Sequence, residues 1–180
     1  MLIGKRIRLR GAEQTDLPNF VRWMNDPEVI QNLLIYTPIS SADEQSWFDS
    51  MVKNPKEEHE YIIEVFLDTQ WLPIGSTGLH AVDWKNRSTE IGISIGEKEY
   101  WNHGYGRETM RLMLRHVFND LNLNRVCLSV FETNQRARKA YLDCGFVEEG
   151  RLRQDVYKNG QYLDVFVMSV LRREWLDTEV

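Results

Sequence analysis

A strand-like run, a loop containing glycine and an amphipathic helix follow one another in the middle of the chain, and this unit constrains the fold most. The run from Thr89 to Ile95 is rich in isoleucine, and β-branched residues favour strands. The loop that follows carries Gly104 and Gly106. This strand, loop and helix form the central unit of the predicted fold. Apolar residues recur at helical spacing after the loop, at Met110, Met113, Leu114, Val117 and Leu121.

The segments before the central unit predict one strand, a pair of helices and an antiparallel strand pair. The assignments rest on alternating hydrophobicity, on helix-capping residues and on turn residues. The predicted elements are a strand at Lys5–Arg10, a helix capped by Thr15, a helix that begins at Ser41 with Glu44 completing its capping box, and strands at Tyr61–Phe66 and Ile74–Trp84 around a turn at Asp68–Pro73.

The segments after the central unit predict a strand, a helix and a hairpin. A strand from Val126 to Phe131 precedes a helix that begins at Asn134. Two β-rich stretches, Phe146–Tyr157 and Tyr162–Leu171, then meet at the dipeptide Asn159-Gly160, which is a strong hairpin signal.

The order of these segments predicts an α+β (mixed α/β) protein with a mixed central sheet and helices on both faces. A chain of 180 residues is long enough for one domain with a full core, whereas a second core would be cramped. We therefore expect a single domain spanning residues 1–180.

Charge and hydropathy exclude several classes of protein. The formal net charge is -5 and the pI is about 5.4, so the basic surface of a nucleic-acid binder is not expected. The sequence contains neither a signal peptide nor an apolar run long enough to span a membrane, and we expect a cytoplasmic protein. The cysteines and histidines lack the spacing of metal ligands, so no metal is expected.

The loop from Asn102 to Arg107 is a candidate phosphate site. Glycines at the start of a helix free backbone N–H groups to face an anion, and His103 and Arg107 add donors. A dinucleotide-binding fingerprint would need a third glycine at Thr109, and a nucleoside-triphosphate loop would need Gly-Lys followed by Ser or Thr. An ordinary glycine turn is the alternative interpretation of this loop.

Several motifs in fixed order resemble the GNAT superfamily, and within it the ribosomal-protein N-terminal acetyltransferases (alanine or serine) and the spermidine acetyltransferases. The resemblance is sharpest from Glu90 to Leu171. The matching motifs are Tyr-Trp-Asn-His-Gly-Tyr-Gly-Arg at 100–107, Asn134, Tyr141 followed by Gly145-Phe146, and Glu148-Glu149-Gly150.

The resemblance implies an acyl-CoA N-acyltransferase fold in which the strand ending at Ile95 splays from its neighbour near Val130 to form a cofactor cleft. It implies acetyl-CoA as co-substrate, with its pantetheine arm along Ser94 and Ile95 and its pyrophosphate in the glycine loop. Asn134 would hold the arm from the far side, although it is also a good helix cap. The implied cofactor-binding residues are Ser94, Ile95, Asn102, His103, Gly104, Tyr105, Gly106, Arg107 and Asn134.

The resemblance also implies transfer of the acetyl group to an amine by direct attack in a ternary complex. Tyr141 matches the family's general acid, although alone it would be interpreted as a core tyrosine. Glu90 is a candidate base, and an exposed strand glutamate is the alternative. The backbone N–H of Ser94 or Ile95 is the expected oxyanion donor.

The sequence leaves the acceptor open among a polyamine, a protein N-terminus and another small amine. A coenzyme A-binding regulatory module without turnover is the alternative function. A plain interaction module, in which the glycine loop is only a turn, is a third. We expect a homodimer or higher homo-oligomer paired through the C-terminal hairpin.

Overall fold

The computed structural model describes residues 1–175, and an eight-stranded mixed sheet lies at its centre. Neighbouring strands are antiparallel except for β5 and β6, which are parallel. The order across the sheet is β1-β2-β3-β4-β5-β6-β8-β7. The strands are β1 (Leu2–Ile3), β2 (Ile7–Gly11), β3 (Tyr61–Leu67), β4 (Gln70–Asp83), β5 (Ser88–Ile95), β6 (Arg125–Phe131), β7 (Val147–Lys158) and β8 (Gln161–Leu171).

Five α-helices are present among the described residues, and the last of them follows the β6 strand. A single π-helical turn, His116–Asp120, extends the fourth helix. The helices are α1 (Leu17–Trp23), α2 (Pro27–Ile30), α3 (Ser41–Met51), α4 (Tyr105–Arg115) and α5 (Gln135–Leu142).

Helix starts differ from the prediction by small shifts of the capping residues. A reciprocal capping box between Glu13 and Asp16 precedes α1, so Thr15 is not the cap. The cap of α3 is Ser40, whose hydroxyl accepts from the Asp43 N–H while the Asp43 carboxylate accepts from the Ser40 N–H. The predicted pair, Ser41 and Glu44, lies one residue too far along the chain.

Adjacent residues of β3 show that helices cover both faces of the sheet. Side chains alternate between the faces of a strand. Ile62 packs with Phe20 and Trp23 of α1, whereas Ile63 and Val65 belong to the main core together with the buried residues of α4. Helices on both faces were predicted, and the packing confirms them.

The two predicted hairpins form, one of them with longer strands than expected. Asn159 and Gly160 have φ values of 51° and 85°, the left-handed pair that a two-residue type I′ turn requires. In the other hairpin β4 begins at Gln70 instead of Ile74, and Pro73 lies inside the strand opposite Glu64. The register shifts between Ile63 and Glu64, and a bulge is a place where a strand accommodates proline.

The parallel pair β5–β6 is hydrogen-bonded over a short stretch only. The paired positions are Ser88 with Arg125, Thr89 with Val126 and Glu90 with Cys127. Beyond them β5 continues to Ile95 and β6 to Phe131 without pairing to each other. The strands therefore diverge into a gap whose vertex lies at Glu90, as the splayed pair of the prediction requires.

Candidate functional site

The backbone of β5 presents every second residue to the gap. Gly96 N donates to Ile74 O of β4 at 2.9 Å, so the backbone groups of Gly92, Ser94 and Gly96 face β4 and those of Ile93 and Ile95 face the gap. The Ile95 carbonyl accepts from the indole Nε1 of Trp101 at 2.8 Å. Of the two predicted contact residues, Ile95 offers its N–H to the gap, while the backbone of Ser94 is engaged in the β4 ladder.

The glycine loop ends in a helix start that has no side-chain cap. Gly104 is the residue before α4 and has a φ of 85°, a conformation that glycine adopts without strain. The N–H groups of Tyr105, Gly106 and Arg107 lie in the first turn of α4, where they have no partner within the helix. Such a turn binds a phosphate group through its N–H groups and the helix dipole. The loop therefore has the geometry of an anion site.

An ion pair between the exposed Arg6 and the buried Glu108 holds this loop in place. Glu108 in the first turn of α4 accepts from the Arg6 N–H at 2.7 Å and from Arg6 Nε at 2.8 Å. Arg6 also donates to the His103 carbonyl at 3.1 Å and lies over the Tyr105 ring. Sequence reasoning missed both partners because 102 residues separate them and no local pattern connects them.

The predicted phosphate-side cation, Arg107, is engaged elsewhere. Its guanidinium pairs with Asp143 at 2.9 Å, just beyond α5. The loop's other charged candidate, His103, is exposed and stacks against Tyr105. Arg107 therefore joins α4 to α5, and backbone N–H groups are the loop's main donors.

Asn134 is the N-cap of α5, as its sequence position suggested. Its Oδ1 accepts from the Ala137 N–H at 3.2 Å. The Nδ2 amide has no hydrogen-bond partner within residues 1–175, so it remains a donor. Because Asn134 follows β6, this donor lies on the β6 side of the gap.

Tyr141 lies on α5 and packs against the main core beside Phe146. Burial raises the pKa of its phenol to about 12, so the hydroxyl stays protonated at neutral pH. Within the described part of the chain this hydroxyl donates to no acceptor. Ile93 and Ile95 pack against the same core, which places Tyr141 on their side of the sheet.

Glu90 lies at the vertex of the gap on the opposite face from Tyr141. It occupies the last paired position of β5, and its side chain is exposed. Its cross-strand neighbour is His80 of β4. The structure thus separates the predicted acid and the predicted base onto opposite faces of the sheet.

These features fit the pantetheine arm and pyrophosphate of coenzyme A. Backbone groups of Ile93 and Ile95 suit amides, the first turn of α4 suits a pyrophosphate, and the free Asn134 amide lies across the gap. A parallel strand pair that opens beside a glycine-capped helix is the cleft that the resemblance to coenzyme A-dependent acyltransferases implies.

Comparisons with known proteins agree with this class. Residues 6–147 match the family model described as acetyltransferase (GNAT) domain. A spermidine N(1)-acetyltransferase of Vibrio cholerae serotype O1 is 30% identical over 175 residues, which is 97% of this chain and 98% of that protein. YdaF of Bacillus subtilis (strain 168), provisionally named a ribosomal N-acetyltransferase, is 37% identical over 101 residues, 56% of this chain and 55% of that protein.

A solved structure gives the same result. The Vibrio cholerae spermidine N-acetyltransferase in complex with CoA and spermine has a TM-score of 0.84 and 28% identity, and the match covers 94% of this chain and 97% of that chain. The chain belongs to the GNAT acetyltransferase family. It is an acetyl-CoA-dependent enzyme that acetylates an amine, and these relatives give no support to a regulatory module without turnover.

Within residues 1–175 no helix is both long enough and apolar enough to cross a membrane. No group of three or more His, Cys, Asp or Glu side chains in that range could hold a metal ion.

Proposed function

We propose that this enzyme acetylates a polyamine, with spermidine as the acceptor to test first. The observation that carries the proposal is the likeness to the Vibrio cholerae spermidine N(1)-acetyltransferase along nearly the whole of both chains. The likeness to YdaF is higher in identity but covers about half of each chain. It favours a protein N-terminus as the second candidate acceptor.

The proposed cofactor contacts follow from the backbone geometry. Ile93 and Ile95 bind the pantetheine amides, and Asn134 Nδ2 steadies the arm from the β6 side. The N–H groups from Tyr105 to Arg107 hold the pyrophosphate, with Asn102, His103 and Gly104 shaping the loop. Ser94 supports the site through its side chain and its bonds to β4.

The roles of the reacting groups follow from the two faces of the gap. Acetyl-CoA supplies the acetyl thioester. The Ile95 N–H is the oxyanion donor, because it points into the gap while the Ser94 N–H does not. Tyr141 donates a hydrogen bond, and then its proton, to the departing sulfur from the α4 side.

The amine is proposed to enter from the face opposite α4. Gly92 and Ser94 lie on that face, and their small side chains leave room above β5. Glu90 is one candidate for the group that takes the amine's proton, since it lies at the vertex on this face.

Three further features remain proposals that rest on the sequence: a single domain spanning residues 1–180, a cytoplasmic location and a homodimer. The position of β7 at the edge of the sheet supports pairing through the C-terminal hairpin, because an edge strand offers unpaired backbone groups.

The test is a thiol-release assay with acetyl-CoA and a panel of spermidine, spermine, peptides with N-terminal serine or alanine, and aminoglycosides. We expect release with spermidine to be at least tenfold faster than with the peptides. Faster release with a peptide would replace the polyamine by the second candidate. No release with any acceptor would overturn amine acetylation by this protein.

A further inference from the structure

Two cross-strand glycines leave a hollow on the face of the sheet opposite α4. Gly78 of β4 pairs with Gly92 of β5. The Glu60 carboxylate lies above Gly78, with Oε2 2.4 Å from the position that a Cβ on Gly78 would take. The His80 ring leans over Gly92, with Nε2 3.2 Å from the corresponding Cβ position. A side chain at position 78 would displace the Glu60 carboxylate from its place over the strand.

Glu60 is half-buried just before β3, and its surroundings differ from those of the buried Glu64 on β3. Glu64 is paired with Arg8 and with Arg10, as buried charges usually are. Glu60 forms no ion pair within residues 1–175, and its near neighbours are the Ser76 hydroxyl and the Glu44 carboxylate of α3. A carboxylate in this position lacks a cation.

The hollow is open to solvent on its β5 side. Gly92 is partly exposed and the side chains of His80 and Glu90 are exposed, whereas Gly78 is buried. Opposed Cβ positions in an antiparallel pair are about 5 Å apart, so the carboxylate of Glu60 and the ring of His80 lie no more than about 11 Å from each other. The two groups therefore lie on the same face of the sheet, over adjacent strands, and His80 is the cross-strand neighbour of Glu90 at the vertex.

We propose that Glu60, rather than Glu90, binds the acceptor's ammonium group over the glycine hollow and takes a proton from it before the amine attacks. This inference rests on the proposed function, since it concerns the same reaction. The N–H bond breaks and an O–H bond forms on Glu60. The ammonium carries three hydrogens and the amide product carries one, so two protons leave the nitrogen. Glu60 takes the first and passes it to water. Tyr141 protonates the departing sulfur, and the second proton from the nitrogen restores the Tyr141 phenol.

The basicity of Glu60 suits this role. Burial is the main reason that its pKa rises from 4.5 to about 7. An amine with a pKa near 10 is about one part in a thousand neutral at pH 7. Raising the pKa of the base to about 7 shifts the proton-transfer equilibrium toward the neutral amine by roughly 300-fold relative to an ordinary glutamate. About half of the Glu60 carboxyl groups are still ionised at pH 7 and able to take a proton.

Other titratable groups surround Glu60 and enter its pH dependence. Glu44 of α3 raises the pKa of Glu60 further by repulsion. His80 and Glu90 lie on the neighbouring strands, and Glu58 accepts from the Val82 N–H at 2.8 Å. Arg10 is held by Asp16 and Glu64.

The first experiment compares the pH dependence of kcat/KM for the amine in the wild type, Glu60→Gln and Glu90→Gln. Spermidine is the probe, or the panel amine that the wild type acetylates fastest. For Glu60→Gln we expect a loss of about 100-fold at pH 7, within the usual range for a general base, that narrows to about threefold at pH 10, where much of the amine is neutral without help. Glu57→Gln, three residues away, should match the wild type.

The second experiment measures proton release by calorimetry when the amine binds to the protein with coenzyme A present. Binding an ammonium group beside a half-protonated carboxylate releases about 0.5 proton at pH 7 in the wild type. Glu60→Gln should release none, while its affinity for coenzyme A stays within twofold of the wild type.

The outcomes separate the two levels of the proposal. An unchanged pH profile and unchanged proton release in Glu60→Gln would overturn the role of Glu60, with wild-type acetylation intact. If Glu90→Gln alone flattens the profile, Glu90 is the base and Glu60 is not. Absence of acetylation by the wild type with every acceptor would overturn both this role and the proposed function.

Discussion

Replacing Tyr141 with phenylalanine is expected to slow turnover while the stability of the fold changes little. The Tyr141 side chain is half-buried beside Phe146, and its hydroxyl has no acceptor within residues 1–175. The hydroxyl is not one of the buried polar atoms without a partner, so its removal neither breaks a hydrogen bond within these residues nor relieves a buried unpaired group. The free energy of unfolding should therefore stay within about 1 kcal/mol of the wild-type value.

The effect on the reaction is larger. A hydrogen bond to a charged partner contributes about 1.5 to 3 kcal/mol, and each 1.36 kcal/mol is a factor of ten in rate. Losing the bond to the departing sulfur should lower kcat by about 10- to 150-fold. Because the pKa of Tyr141 is about 12, the wild type should show no decline from its ionisation below about pH 11.

The assay combines thiol release under saturating acetyl-CoA with urea unfolding of both proteins. Tyr61→Phe is a matched control, because Tyr61 is also a half-buried tyrosine whose pKa burial raises, but it lies on β3, two strands from the gap. It should keep at least half of the wild-type kcat. Full activity in Tyr141→Phe, or a fold destabilised by 2 kcal/mol or more, would refute the reasoning.

Three further substitutions test other parts of the site. Above pH 7, Glu60→Gln should be more stable than the wild type by at most about 3 kcal/mol in urea unfolding. The reason is that the raised pKa of Glu60 lowers the stability of the wild type as the pH rises from 4.5 to about 7. Equal stability of the wild type at pH 5 and pH 8 would contradict this. Gly104→Val should abolish coenzyme A binding in calorimetry, because valine resists the φ of 85° and shields the first-turn N–H groups. It should still give a cooperative unfolding transition, and binding at wild-type strength would show that the loop is only a turn. Glu108→Ala removes the ion pair with Arg6 that holds the glycine loop. It should raise KM for acetyl-CoA about fivefold, a loss of about 1 kcal/mol in binding, while kcat changes less than twofold. A large fall in kcat alone would contradict a purely positioning role for Glu108.

Local signals explain which elements were predictable. Asn159-Gly160 encodes its turn in two residues, because both adopt left-handed φ values. The α3 start was displaced by one residue because Ser40-Ser41 and Asp43-Glu44 offer two overlapping capping boxes, and only the fold selects between them. Pro73 was interpreted as part of a turn because its bulge depends on the partner strand.

Long-range geometry explains what the sequence left out of the site. The alternation along β5 that turns Ile95 to the gap and Ser94 to β4 depends on the register with β4. Arg107 was predicted as a phosphate ligand, but the approach of α5 brings Asp143 to it. Glu60 gave no signal in the sequence, because its position opposite Gly78 depends on the register of β3 with β4.

The divergence of β5 and β6 has a consequence for self-association. Beyond Glu90 and Cys127 the facing backbone groups of the two strands are not paired with each other, and in most sheets such an edge invites pairing with another molecule. Here the two rows face each other within one sheet, so a strand of another chain would have to enter between them. A narrow chain of amides can enter this gap, whereas a strand with side chains on both faces cannot. The fold therefore leaves these backbone groups accessible to a small molecule and prevents them from pairing edge to edge with another protein chain.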